Sequence, residues 1–157
     1  MNLKDFNSLV DLFFYQVEKE NSDTPFLEWL NPSNKKTFTW GETSLNIYKL
    51  AKTLKTNITN GDRCLLVSEN RPEWLISDIA IMLANGITVP AYTTYTEKDY
   101  KYLIEDCQPS VIIVSNDEMH DKLKNIINEK SFIRKVITFE KIQEVDYKNK
   151  YLDFNSI

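Results

Sequence analysis

Four short apolar runs, separated by helical segments, constrain the fold of this chain more than any other feature. The runs lie at 64–68, 87–91, 111–115 and 136–139, so their starts are 23, 24 and 25 residues apart. Segments with helical character fill the gaps, at 72–85, 97–107 and 117–130. Parallel strands need a crossover of a dozen or more residues, and these helices supply it. We therefore expect an α/β fold with a parallel sheet built from βαβ units.

The chain before residue 64 has a different hydrophobic pattern. Apolar residues within 6–20 recur at the spacing of one helix face. Two extended runs, 24–30 and 36–40, flank a cluster of turn residues at 31–34. This pattern predicts a helix followed by a β-hairpin.

A second helix should begin directly after the hairpin. Thr39 and Glu42 stand three residues apart, as in a capping box, where each side chain bonds the other residue's backbone N–H. The 157 residues then divide into three parts: a lead-in over 1–60, a βαβ region over 61–140 and a tail over 141–157. We expect all three to belong to one partial domain.

Two features indicate a piece of a larger fold. The helix at 72–85 is apolar on nearly all sides, which is typical of a helix buried on more than one face. A four-stranded sheet in a chain of this size offers few layers to bury it. No apolar run follows 136–139, so the tail is predicted to contain no strand.

The chain is poor in glycine. It has only Gly41, Gly61 and Gly86, against roughly eleven at the average usage of about 7 %. Loops that surround a phosphate need several glycines close together, so no glycine-rich nucleotide loop is present. The net charge of −4 also disfavours a nucleic-acid partner.

Membrane-spanning, metal-binding and disulfide-rich classes are disfavoured as well. The longest uncharged run, 79–96, is interrupted by polar residues and proline. Cys64 and Cys107 are expected to be free thiols in a reducing cytoplasm. His120 is the only histidine, which excludes a two-histidine metal site, and its acidic neighbours predict a solvated side chain.

Residues 61–96 carry a resemblance to a known family. They begin with GDRCLLVSENRPEW, and the segments at 39–42 and 102–114 match in the same order and spacing. The chain resembles the N-terminal part of the adenylate-forming, AMP-binding enzymes, most of all the long-chain fatty-acid–CoA ligases. The resemblance covers roughly 5–145, and its most specific part is ENRPEW at 69–74.

The resemblance implies ATP-dependent activation of a carboxylic acid to an acyl-adenylate, followed by thioester formation with CoA. ATP, Mg²⁺ and CoA are then implied for the complete enzyme, with a fatty acid as substrate. The family's phosphate loop, nucleotide motifs and catalytic lysine lie downstream of the matching region. We therefore assign no catalytic, cofactor-binding or metal residue to this chain.

An inactive fragment follows from the same resemblance. Its partner would be the missing downstream part of the enzyme or a complementing chain. We expect no nucleic-acid partner and no transmembrane segment. The expected location is the cytoplasm, with a peripheral position at the membrane surface left open for the complete enzyme.

Two other functions remain open. The chain could be a stand-alone interaction module that docks on a partner through the 72–85 helix, since exposed apolar patches mark interfaces. A Rossmann-like nucleotide binder is the weaker option, because the glycine fingerprint is missing.

Two segments after strands have both a structural and a functional interpretation. Asn70 and Glu73 have the spacing of a capping box, whereas the functional alternative places Asn70 and Arg71 at a ligand. We favour the cap. Residues 92–96 also follow a strand, and we favour Thr96 as the cap of the next helix over a role in binding.

Overall fold

The computed structural model describes residues 6–30, 35–143, 145–147 and 149–157. The turn predicted at 31–34 lies outside the described residues. The elements are α1 (Leu9–Val17), β1 (Pro25–Trp29), β2 (Lys36–Thr39), α2 (Trp40–Lys55), β3 (Arg63–Val67), α3 (Pro72–Leu83), β4 (Ile87–Ala91), α4 (Glu97–Cys107), β5 (Val111–Val114), α5 (Asp117–Asp121), α6 (Lys124–Glu129), β6 (Lys135–Thr138) and β7 (Tyr151–Asp153), followed by a 3₁₀ turn (Phe154–Ser156).

The predicted α/β class and parallel sheet are confirmed. Five strands form one parallel sheet in the order β4-β3-β5-β6-β7, and β1 and β2 form a separate antiparallel hairpin. Side chains alternate between the two faces of the sheet. Cys64 and Leu66 of β3 face the core formed with α2 and α3. Leu65 and Val67 face the core formed with α4, α5 and α6.

The prediction of a strandless tail is wrong. Residues Tyr151–Asp153 form β7, which pairs with β6 in parallel register, with Tyr151 opposite Val136. This strand is at the edge of the sheet and places one side chain on each core: Tyr151 on one and Leu152 on the other. Two such side chains among polar neighbours leave no apolar run for sequence reasoning to detect.

The predicted helix over 117–130 is two short helices. The N–H of Leu123 donates to the carbonyl oxygen of His120 at 2.8 Å, three residues earlier. This tighter turn separates α5 from α6.

The apolar helix α3 is buried within the chain itself. It packs against the sheet on one side, and against α2, α1 and β1 on others. Ile76, Ile79, Ala80 and Ile81 are buried. The lead-in supplies the extra layer that the sheet alone lacks, so the expectation that this chain has too few layers to bury the helix is wrong.

The end of α3 depends on both Asn85 and Gly86. Asn85 has a left-handed backbone with φ of 63°, and the N–H of Gly86 donates to the carbonyl oxygen of Ile81 at 2.9 Å. A Cβ on Gly86 would lie 3.0 Å from side-chain atoms of both Ile58 and Ile81. Gly86 is therefore required by close packing, and Asn85 makes the left-handed turn.

Candidate functional site

The carboxyl ends of β3, β4 and β5 meet at one edge of the sheet. The chain goes from β3 to β4 on one side and returns past β3 to β5 on the other. In open α/β sheets ligands bind outside the carboxyl ends of strands, where the strand order changes direction. This edge of the sheet is therefore the candidate position for a binding site.

A cleft of about 570 Å³ opens there, beside the ends of β3 and β4. Its size is within the range of small-molecule pockets. The cleft is lined by Ser68, Glu69, Asn70, Trp74, Pro90, Ala91, Tyr92 and Thr93.

Hydrogen bonds from neighbouring elements hold the walls of this cleft. The side-chain amide of Asn116, after β5, donates to the Glu69 carboxylate at 3.0 Å. The hydroxyl of the buried Tyr100 donates to the carbonyl oxygen of Tyr92 at 2.7 Å. The ammonium group of Lys122 donates to the carbonyl oxygen of Thr93 at 2.9 Å. Residues of α4 and at both ends of α5 therefore hold the loops that follow β3 and β4. Because these loops are fixed, the cleft is preformed.

A buried ion cluster lies beneath the loop that follows β3. Arg71 donates to both oxygens of Glu73, at 3.0 and 3.4 Å, and to Glu140 at 2.7 Å. The side chains of Arg71 and Glu73 are only 4 % and 1 % exposed. Lys36 of the hairpin donates to Glu73 at 2.7 Å. The cluster thus connects β2, the start of α3 and the end of β6.

The two buried charges of this cluster stabilise each other. Burial alone would raise the pKa of Glu73, but hydrogen bonds from Arg71 and Lys36 outweigh it, so the pKa of Glu73 lies below its ordinary value. Burial would lower the pKa of Arg71, yet its bonds to Glu73 and Glu140 raise that pKa. The Arg71 guanidinium also lies 4.3 Å from the ring centroid of Trp29.

The capping box predicted at Asn70 and Glu73 is wrong. The residue that caps α3 is Arg71, whose side chain makes no cap bond, and Pro72 is in the first turn. Glu73 cannot reach back to Asn70 because Arg71 and Lys36 hold its carboxylate. Asn70 lines the cleft, whereas the Arg71 side chain turns into the ion cluster. The alternative that places Asn70 and Arg71 at a ligand stays a prediction.

The predicted cap at Thr96 is confirmed. Thr96 and Asp99 form a complete capping box at the start of α4, and the Thr96 N–H donates to the Asp99 carboxylate at 2.9 Å. The box predicted at Thr39 and Glu42 is present at the start of α2.

The prediction of a solvated His120 is wrong. The ring is only 5 % exposed, and its Nε2 lies 2.9 Å from the hydroxyl oxygen of Tyr151. His120 turns towards β7 while its acidic neighbours remain outside. Burial lowers the pKa of His120, although the carboxylates of Asp121 and Asp117 oppose that shift.

The cysteines are free, as expected, and they are not activated nucleophiles. Burial raises the pKa of the Cys64 thiol to about 12 and also raises the pKa of Cys107. Within the described ranges, no three His, Cys, Asp or Glu side chains are grouped so that they could hold a metal ion. No helix of those ranges has the length and apolar character needed to cross a membrane.

Sequence reasoning missed most of the cleft. The segment 92–96 and Asn70 have a functional alternative in the sequence, whereas nothing in the sequence pattern assigns Glu69 or Trp74 to a site. One signal could have found Glu69: it lies two residues after the end of β3, as Tyr92 directly follows β4. Trp74 is in the first turn of α3, where the pattern alone indicated only an apolar helix.

Comparisons with known proteins give one family match and several relatives. The sequence profile of the family described as AMP-binding enzyme matches residues 13–153. A long-chain-fatty-acid–CoA ligase of Rattus norvegicus is 25 % identical over 87 residues, which is 55 % of this chain and 12 % of that protein. A long-chain-fatty-acid–CoA ligase of Gallus gallus is 30 % identical over 90 residues, which is 54 % of this chain and 12 % of that protein.

Solved structures share the fold. The anthranilate CoA ligase AuaEII, in complex with anthranoyl-AMP, superposes with a TM-score of 0.81 at 22 % identity, covering 99 % of this chain and 29 % of that chain. The luciferase-like enzyme from the nonluminescent Zophobas morio mealworm superposes with a TM-score of 0.79 at 20 % identity, covering 99 % and 35 %. The chain thus spans about a third or less of the proteins that it matches.

Proposed function

Because the chain belongs to the AMP-binding enzyme family, we propose that it forms the N-terminal part of a ligase that activates a long-chain fatty acid. The reaction is ATP-dependent activation of the acid to acyl-AMP, followed by thioester formation with CoA. The observation that carries this proposal is the profile match, which includes the lead-in, the sheet and β7.

The acid class rests on the curated relatives. The ligases of Rattus norvegicus and Gallus gallus are both described as acting on long-chain fatty acids. AuaEII is described as an anthranilate ligase, so the shared fold accommodates an aromatic acid in that protein. Long-chain specificity is therefore the narrower part of the proposal.

The role proposed for these 157 residues is structural. ATP, Mg²⁺ and CoA are the cofactors proposed for the complete enzyme, but the residues that line the cleft do not fit a nucleotide phosphate site. The chain has three glycines, and the described lining of the cleft has one carboxylate and no basic side chain. Arg71 is occupied by Glu73 and Glu140. The groups that stabilise adenylyl transfer from ATP to the carboxylate, with pyrophosphate as the leaving group, are then proposed to come from outside the cleft.

The alternative of a module that docks through the 72–85 helix finds no support in the packing. Most of that helix is buried against α2, α1 and the sheet. The partner we propose is the remainder of the enzyme, on the same or a complementing chain, and the proposed location is the cytoplasm.

The test compares two samples. The first is the product of the native gene, tagged at its N-terminus and purified with any natural continuation or partner chain. The second is the 157-residue chain alone. Acyl-AMP is trapped with hydroxylamine in the presence of ATP and Mg²⁺, using acetate, octanoate, palmitate or anthranilate as the acid.

We expect hydroxamate from palmitate with the native product and none with the isolated chain. Activity with anthranilate or acetate but not palmitate would overturn the long-chain assignment and keep the ligase. Absence of acid-dependent AMP formation in the native product would overturn the whole proposal. Activity of the isolated chain would overturn the structural role.

A further inference from the structure

The cleft beside β3 and β4 has the wrong charge for an anion. Glu69 supplies a carboxylate, and among the described residues that line the cleft there is no lysine, arginine or histidine. The nearby cationic side chains, Arg71 and Lys122, bond to other protein groups. Arg71 is bonded to Glu73 and Glu140, and Lys122 bonds the Thr93 carbonyl oxygen and pairs with Glu118 at 3.3 Å.

The N-terminus of α3, beside the cleft, would ordinarily attract an anion through its free N–H groups. Here that attraction is already used. Pro72 has no N–H, the N–H of Trp74 donates to the carbonyl oxygen of Arg71 at 2.9 Å, and the buried carboxylate of Glu73 lies in the same turn. The first turn of α3 thus already carries a negative charge of the protein, which opposes the binding of an anion there.

Two aromatic side chains line the same cleft. Trp74 is half-buried, and Tyr92 is 71 % exposed. The Tyr92 ring packs edge-on against Tyr95, with centroids 5.5 Å apart, and its backbone is held by Tyr100. Aromatic rings attract cations, and a nearby carboxylate adds to that attraction.

We propose that this cleft binds a small organic cation. An ammonium group with apolar substituents would contact Trp74 and Tyr92, with the Glu69 carboxylate as its counter-charge. The negative field of Glu69 already acts on its surroundings. Burial raises the pKa of Tyr100 to about 12, and the charge of Glu69 adds to that rise. The site does not depend on ligase activity, since the ligand needs neither ATP nor acid to bind.

The test is a titration of the 157-residue chain followed by NMR. The probe is tetramethylammonium chloride, its neutral isostere is tert-butyl alcohol, and sodium phosphate is the anionic comparison at matched ionic strength. We expect saturable shifts of the Trp74 indole N–H, the Asn70 side-chain amide and the Tyr92 backbone amide with the cation only. Equal binding of the alcohol, preferential binding of phosphate, or no saturable shift at these groups would each overturn the proposal.

Two variants test the contacts separately. Glu69→Gln should weaken binding of the cation about threefold, since it removes one partly exposed charge. Tyr92→Leu should weaken it by a similar factor, because the exposed ring provides the cation–π contact. Glu18→Gln is the matched control, because Glu18 is exposed at the C-terminal end of α1, outside the cleft. Unchanged affinity in both cleft variants, or an equal loss in the control, would contradict the assignment.

Discussion

The two faces of the parallel sheet are covered in different ways. On the face of Cys64 and Leu66, α2 and α3 form the first layer, and α1 and the hairpin add a second. On the face of Leu65 and Val67, α4, α5 and α6 form one layer that is open to solvent on its outer side. Tyr102 of α4, for example, is exposed.

The chemistry of the two faces differs accordingly. The doubly covered face contains stacked rings, with the centroids of Phe26 and Trp40 3.7 Å apart, and adjoins the ion cluster of Arg71. The singly covered face is closed at its far edge by polar aromatic contacts, including His120 with Tyr151 and Tyr147 with Thr138. A second layer allows an apolar helix and a buried charge pair, whereas a single layer requires amphipathic helices.

The largest effect should come from Glu73→Ala at the doubly covered face. The change leaves the Arg71 guanidinium buried without its main partner, so we expect a loss of about 3–5 kcal/mol in the free energy of unfolding. Urea denaturation measures it. Glu28→Ala is the matched control, since Glu28 pairs with Lys35 at the surface and should cost about 1 kcal/mol or less. A similar loss in both variants would remove the distinction between buried and exposed pairs.

Next in size is Gly86→Ala, which tests close packing at the end of α3. The added Cβ would meet Ile58 and Ile81 at 3.0 Å, so we expect destabilisation by about 1–3 kcal/mol. Gly41→Ala is the comparison at the half-buried start of α2, where the added Cβ would lie 3.1 Å from both the Cβ and the backbone oxygen of Ser22. Thermal melts of the two variants measure the loss of stability in each. A higher melting temperature in Gly86→Ala than in the parent chain would contradict the close packing that we infer around Gly86.

Tyr151→Phe should have a moderate effect on the singly covered face. The ring remains, but the hydrogen bond to His120 is lost, and we expect a cost of about 1 kcal/mol. Tyr102→Phe, on the exposed outer side of α4, should change stability little. Urea denaturation of both variants checks this. No loss in Tyr151→Phe would mean that β7 is held by its backbone pairing alone.

The smallest effect is the pH dependence from His120. Its pKa is lowered in the folded chain, so the unfolded chain binds more protons between that lowered value and about 6.5. Stability from this group is therefore present above about pH 6.5 and lost as the pH falls below it. The effect is small because Asp117 and Asp121 oppose the shift.

Melts at pH 7.5 and 5.5 compare the parent chain with His120→Gln. We expect a larger drop between the two conditions in the parent. The same drop in both proteins would assign the pH dependence to other groups.

Local patterns were enough to predict most elements. Helix α4 has the bounds expected from its capping residue and apolar face, and the strand runs gave β3 to β6 within a residue or so. The failures share a cause, which is that long-range contacts chose between local options. Glu73 had the spacing of a capping residue, but Arg71 and Lys36 hold its carboxylate. His120 had the neighbours of a surface residue, but β7 covers it.

Local sequence patterns specify the class of the fold, and the motifs at 39–42, 61–96 and 102–114 indicate the family. Hydrophobic periodicity is a local property, and a parallel sheet with helical crossovers follows from it. Tertiary structure alone decided the strand order, the fifth strand, the layer that buries α3 and the cleft formed by Glu69, Trp74 and Tyr92. These features depend on which distant residues meet in space, and such pairings leave no regular spacing along the chain.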